Sequence, residues 1–403
     1  MSGSVSIARM SSYLRFTCAW LLLGLACVTR AADDPYSVER TTPEQEKIYL
    51  ASQWKLMAIR FSRHRVAVVS AIVLAIMYAM ILVVEFLAPY NLHTRDVGHI
   101  YVPPQGVHLF HEGEFIGPFV YALDYKLNMD NLKREYVENT KKPLPIRFFC
   151  TGDKYEFWGA IPGDFHLVCP PEKGTMFLFG SDRLGRDMLS RVLYGMRISL
   201  TIGIIGVAVS IVLGIVFGGL AGYYGGWVDD VVQRAIEVVR SIPHLPLWLA
   251  LAAILPVTWS PLWIYFGITI ILGLIDWTGL ARAVRSKLLS LREEDFCVAA
   301  QLMGASPNRI IFRHLMPSFM SHLIASATLA IPNMILGETA LSFLGLGIRP
   351  PITSWGVLLN EAQNINVVVL YPWLMLPIVP VIIVVLAFNF MGDGLRDAAD
   401  PYR

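Results

Sequence analysis

The stretch Val66–Val84, VAVVSAIVLAIMYAMILVV, carries no charge along its whole length. A helix needs about 20 apolar residues to cross the hydrocarbon of a bilayer, so this run reads as a membrane span. Further apolar runs follow at Ile198–Gly222, Pro243–Trp259, Leu262–Leu280, Met320–Leu344 and Val367–Met391. A Trp-Ser-Pro turn at Trp259–Pro261 separates the third from the fourth. The second is rich in Gly and Ser, as close helix packing in lipid requires. Pro372, Pro377 and Pro380 crowd the first half of the sixth, which membrane helices tolerate where neighbours satisfy the freed carbonyls. Only 16% of the residues are charged, against about a quarter in soluble domains, and the bilayer accounts for the difference. The expected fold is all-α, with six transmembrane helices.

Lys and Arg in short flanks orient such a chain. Arg60, Arg63 and Arg65 precede the first span, and Arg234 and Arg240 lie between the second and third. Arg282, Arg285, Lys287, Arg292, Arg309 and Arg313 lie between the fourth and fifth, and Arg396 and Arg403 follow the sixth. Six spans put all these flanks, and both termini, in the cytoplasm. Residues 33–65 then form a cytoplasmic lead-in, 66–88 the first helix, 198–391 the remaining membrane core and 392–403 a cytoplasmic tail. Residues 89–197 fall outside. Their Pro, Gly and aromatic content (YVPPQG, FIGPFVY, FWGAIPGDF) predicts a small folded insert with short strands and turns. Cys150 and Cys169 lie in it, and an oxidising compartment would let them pair. The alternative is two unpaired small apolar residues.

Residues 1–32 look like a signal peptide, with Arg9 and Arg15 before FTCAWLLLGLACV and small residues at Ala31 and Ala32. Cleavage there would leave Arg60, Arg63 and Arg65 outside and invert every span after them. Either the true start lies downstream, or the segment is an uncleaved tail at the membrane.

The longest cytoplasmic loop, Arg285–Phe319, is unlike a simple connector. Leu288, Leu291, Phe296, Ala299, Ala300 and Met303 recur at helical spacing. Gly304 breaks the helix as a C-terminal glycine does. Ser306 and Pro307 then suit the cap and first position of a second helix. Two short helices at a glycine corner would make a rigid knob, with Ala299, Ala300, Gly304 and Ala305 as a close-approach face. A plain amphipathic loop on the membrane surface fits the same pattern.

The segment resembles the EAA loop of permease subunits in binding-protein-dependent ABC importers. Ala299, Ala300, Gly304 and Pro317 fall at the family spacing. Val298 stands where the glutamate is usual, His314 where isoleucine is and Met316 where leucine is. Asp295 or Glu294, about one turn earlier, could take the glutamate's part. GSDRLGRDMLSRVLYGMRISL, GLAGYYGGWVDDVVQR, ALSFLGLG and NFMGDGLRDAADPYR resemble the dipeptide, oligopeptide and nickel branch in particular. The resemblance covers residues 50–90 and 175–403. It implies the type I importer fold with an extracytoplasmic insert between helices 1 and 2, in a bacterial inner membrane. It also implies a heterodimeric pore with a second permease subunit, one or two ATPase subunits docked on the loop, and an external substrate-binding protein. Peptides are the implied cargo; opines, oligosaccharides and nickel chelates are alternatives within the branch.

No G-x-x-x-x-G-K-[ST] phosphate loop occurs, so ATP and Mg are expected in the ATPase partner and no cofactor in this chain. No catalytic constellation, metal site or basic nucleic-acid stripe is recognisable. Ionisable residues inside spans are functional candidates by default. Asp276 and Glu338 are such residues, and Asn333 beside Pro332 is a weaker third; all three are candidates for the translocation path. An ion-driven secondary transporter would favour internal repeats and mid-membrane charges, of which the sequence shows no repeat and few charges. A membrane receptor built on the outer insert would need no cytoplasmic knob.

Overall fold

The computed structural model describes residues 52–129, 133–172 and 174–400. The leader-like residues 1–32, the first part of the lead-in and Arg403 lie outside the described residues. Helix α1 spans Gln53–Arg63. Helix α2, Arg65–Leu82, starts where the His64 ring accepts from the Ala67 amide, 3.1 Å away. A short turn of helix, α3 (Val84–Leu87), carries Glu85. The insert follows, and it is a β structure. Strands β1 (His108–His111), β2 (Glu114–Asn128) and β3 (Lys133–Pro145) form one antiparallel sheet. Strands β4 (Arg147–Phe157) and β5 (Ile161–Cys169) form a separate hairpin. β1 is short, at four residues, but β2 to β5 run from 9 to 15 residues, longer than the short strands expected.

Helix α4, Met188–Tyr224, begins well before Ile198. Asp187 caps it, accepting from the Ser190 amide at 2.7 Å. Its first turns hold Arg191 and Arg197, which hydropathy places outside a span. Both find acid partners. Arg197 binds Glu85 at 2.6 Å. Gly225, at φ 64°, ends the helix in the left-handed region that glycine adopts without strain.

Helix α5 (Gly226–Ser241) and helix α6 (His244–Ile254) meet at a bend of 89°. Helix α7 is Pro261–Leu291, with Ser260 as its cap and proline at its first position. Small residues let α7 approach α4. Thr201 bonds Tyr265, Ser210 bonds the Gly273 carbonyl, and a Cβ on Gly218 would come within 2.4 Å of the Ala281 oxygen. A Cβ on Gly222 would meet Arg285 and Leu288. Both sets of numbers rise together, so α4 and α7 run parallel. The chain between them must therefore cross back. Helix α6 does so: His244 starts it beside Asp276, and Leu255, just past its end, packs on Gly267. Eleven residues rise only about 16 Å, half the hydrocarbon. The expected third span is thus a short helix, completed by the bent α5 and the loop to Ser260.

Helix α8 (Asp295–Leu302) is followed by α9, Pro307–Phe343. The expected second helix of the knob is therefore the first turns of the fifth span. Helices α10 (Trp355–Glu361) and α11 (Ile365–Leu370) precede α12, Pro372–Ala399. Pro372 stands at the first position of α12, where no amide is needed. Ala67 of α2 packs on Gly394 of α12, so the start of one span meets the end of the other. That face also carries the ends of α4 and α7 and the α8 corner. The insert lies on the opposite face.

The sulfurs of Cys150 and Cys169 are bonded across β4 and β5. Alkylation of the unfolded, unreduced chain is expected to leave both unlabelled, and reduction to expose both. Labelling of either without reduction would count against the bond.

Candidate functional site

At the α8 corner the chain turns away from the bundle and back. Glu294 caps α8 in an extended conformation, and Asp295 sits in its first turn, where an acidic side chain suits the helix dipole. Gly304 ends it at φ 79°. Its amide bonds the Gln301 carbonyl at 2.9 Å, and the Ala305 amide bonds Ala300 at 3.0 Å. This paired closure with a left-handed glycine fixes the angle at which α9 leaves.

Cys297 and Ala300 are the buried residues of α8, packed with Leu280, Val284, Leu288, Ile310, Leu315 and Phe319. Burial pushes the Cys297 thiol up. The close-approach face is therefore divided. Ala300 points inward and Ala305 is half-buried, whereas Ala299 and Gly304 face outward with Asp295. Phe296 and Met303 belong to the outer surface and not to a core-facing stripe. Leu302 and Met303 are 84% and 81% exposed. Such apolar exposure is costly in water. Pro317 lies exposed in the first turn after a π-helical segment, Ile310–Leu315. Proline brings no amide to the carbonyl four residues back, and the widened turn accommodates the missing bond. Asp229 of α5 pairs with Arg285 of α7, tying α5 to the root of the corner.

Within the membrane region, a cavity of about 690 Å³ opens between α6, α7 and α9. Asp276 and Asn333, distant in sequence, both line it, together with Arg240 and His244. The His244 ring lies 3.6 Å from the Asp276 carboxylate. Glu338 is not among the lining residues. It is fully buried and accepts from Ser342 and Ser354, each at 2.6 Å, and from Ser199 at 3.3 Å. Those bonds join α4, α9 and α10, which makes Glu338 a brace.

The sequence reading misses a second brace, at the end of α4 next to the insert. Asp182 accepts from Arg186 and Arg191, each at 2.6 Å. Arg191 also binds Glu361 at 2.9 Å, and Arg186 binds it at 3.1 Å. Asp182 and Arg191 are buried. The available signal was the clustering of acids and arginines in SDRLGRDMLSR, just ahead of an apolar run.

The family model for the binding-protein-dependent transport system inner membrane component matches residues 210–402. The model for the N-terminal transmembrane domain of oligopeptide transport permease C matches residues 52–104. A peptide permease protein of Brucella ovis is 39% identical over 224 residues, 55% of this chain and 72% of that one. The dipeptide transport system permease protein DppC of Alkalihalophilus pseudofirmus is 39% identical over 225 residues, 55% of this chain and 71% of its own. The oligopeptide transport system permease protein OppC of Haemophilus influenzae is 39% identical over 236 residues, 58% and 73% of the two chains.

Proposed function

The chain belongs to the inner-membrane components of binding-protein-dependent transport systems, in their dipeptide and oligopeptide permease branch, and from that premise we propose how it works. It is the permease subunit of an ATP-driven ABC importer, and a separate subunit hydrolyses the ATP. Peptides are the cargo, delivered by an external binding protein and passed through a pore shared with a second permease subunit. ATP and Mg act in one or two ATPase subunits. The α8 corner is the docking knob, and its outward Asp295, Ala299, Leu302, Met303 and Gly304 are the contact. The knob, the start of α2 and the end of α12 share one face, rich in arginine, which is assigned to the cytoplasm of a bacterial inner-membrane protein with both termini inside. The single observation that carries this reading is the exposed apolar tip of α8 closed by Gly304.

ATP-driven closure of the ATPases would move the knob, and with it α7 and α9, whose roots it joins. Those helices line the cavity, so Asp276 and Asn333 are assigned to the translocation path and Glu338 to the frame around it. A strain lacking only this gene should lose uptake of labelled di- and oligopeptides and regain it on complementation. Loss confined to labelled sugars, opines or nickel chelates would replace peptides as the cargo. Asp276→Asn is expected to slow uptake roughly tenfold, the effect of about 1.4 kcal/mol, with assembly unchanged. Unaltered uptake in that variant would remove Asp276 from the path.

A further inference from the structure

The β4–β5 hairpin is welded to the outer end of α2. The Trp158 indole donates to the Leu82 carbonyl at 3.1 Å, and its amide donates to Glu85 at 3.2 Å. Arg197 lies over the indole at 4.2 Å, while itself bound to Glu85 and to the Ile81 carbonyl. Phe86 stacks on Phe165, with centroids 5.9 Å apart, and lies near Phe149. His166 contacts the Ala88 carbonyl at 2.7 Å. The hairpin therefore keeps a fixed height beside the last turn of a membrane helix.

That height matters because α2 is short. Its 18 residues rise about 27 Å, a few ångströms less than the hydrocarbon of a typical bilayer. Ile72, Ile76 and Leu82 stand exposed along it, as a lipid-facing helix requires. The apolar surface does not stop at Leu82. It continues onto Phe149, Trp158, Ile161 and Phe165, each between 46% and 64% exposed. Phe149 and Trp158 also hold positive φ, 50° and 53°. Trp158 and Gly159 are the central residues of the hairpin turn, closed by the Ala160 amide on the Phe157 carbonyl. A turn with two positive φ values ordinarily takes Asn-Gly, so tryptophan there is held against its backbone preference. An indole with its ring exposed and its N–H satisfied suits the membrane–water boundary.

We infer that the tip of the β4–β5 hairpin sits in the outer lipid interface and completes the hydrophobic thickness that α2 alone leaves short. The partner is the lipid itself, because the exposed residues extend the lipid-facing side of α2 at the depth where its hydrocarbon stretch ends. The Cys150–Cys169 bond, toward the other end of the hairpin, keeps its two strands together.

The test places a bimane label at Ile161→Cys in a Cys18→Ser/Cys27→Ser/Cys297→Ser background, which leaves Cys150 and Cys169 paired, with the assembled permease–ATPase complex in phosphatidylglycerol–phosphatidylethanolamine nanodiscs. Glu172→Cys is the control, beyond the far end of β5. The eight steps of β5 put Ile161 and Cys169 roughly 26 Å apart along the hairpin, and Glu172 lies three residues past that far end. Nitroxide lipids labelled near the headgroup should quench the Ile161 label by roughly half or more, as expected within about 10 Å of the acyl boundary. Aqueous iodide should quench the Glu172 label and spare the Ile161 label. Equal iodide quenching at both sites would overturn the inference. Protection of the Ile161 label from both quenchers would also overturn it, by showing a protein on the hairpin instead of lipid.

Discussion

Gly304→Val is expected to reduce coupled uptake at least tenfold while leaving the chain in the membrane. The cause is backbone conformation and not collision, since a Cβ at Gly304 would meet nothing within 4 Å. At φ 79° a non-glycine residue costs roughly 1–2 kcal/mol, and a β-branched one more. Helix α8 has only eight residues and cannot sustain itself. The corner therefore yields before the bundle does. The Gln301 and Ala300 carbonyls lose their amide partners, and Leu302 and Met303 leave the positions that dock. A graded series isolates the mechanism. Gly304→Asn should retain most uptake, because asparagine visits the left-handed region. Gly304→Ala should fall between Asn and Val. Uptake and ATP hydrolysis in proteoliposomes, normalised to the amount of assembled complex, provide the comparison. Wild-type uptake in the valine variant would contradict the docking role of the corner.

Arg191→Met is expected to destabilise the fold by about 3–5 kcal/mol, the usual cost of stranding a buried charge. Arg191 is 2% exposed and holds Asp182, itself fully buried, together with Glu361. Without it, Asp182 and Glu361 share Arg186 alone. The contact between the loop before α4 and α10 then loosens. A large fall in the thermal midpoint of the lipid-reconstituted complex is the readout. Removing Glu361's charge as well, in Arg191→Met/Glu361→Gln, should recover part of the loss, since fewer charges are left unpaired. A midpoint unchanged in the single variant would show that the network contributes little.

Much of the spanning pattern is legible in the sequence because long uncharged runs leave the chain few options in lipid. The run at Val66–Val84 and the helix at Arg65–Leu82 nearly coincide. The failures have physical reasons. Hydropathy starts the second span at Ile198 because Arg191 and Arg197 look too polar. Each has an acid partner far away in sequence, Glu361 for Arg191 (which also holds the nearby Asp182) and Glu85 for Arg197, and pairing lets the helix begin at Met188. The third run reads as one span, but its helix ends at Ile254, just before Pro256, and the rest of the crossing is a bend that hydropathy does not register.

The candidate site divides in the same way. The position of the corner is legible from Gly304 and Pro307, whose backbone limits are local. Its buried face is not, because two turns of helix define no unique stripe. Only tertiary packing selects Cys297 and Ala300 over Phe296 and Met303. Glu338 and Asp276 look alike in sequence, as lone acids in apolar helices. Ser342 one turn along the same helix, with Ser199 and Ser354 from other elements, makes one a brace, and a cavity between three helices opens around the other.

The most direct test of the docking knob is the accessibility of Leu302→Cys, in a Cys18→Ser/Cys27→Ser/Cys297→Ser background, to a membrane-impermeant maleimide. In inside-out vesicles stripped of ATPase subunits the cysteine should label rapidly, and adding the ATPase subunits back should protect it. Labelling from the outside of intact spheroplasts, or labelling in vesicles that the returned ATPase leaves unchanged, would contradict a cytoplasmic corner that receives force from a separate ATPase.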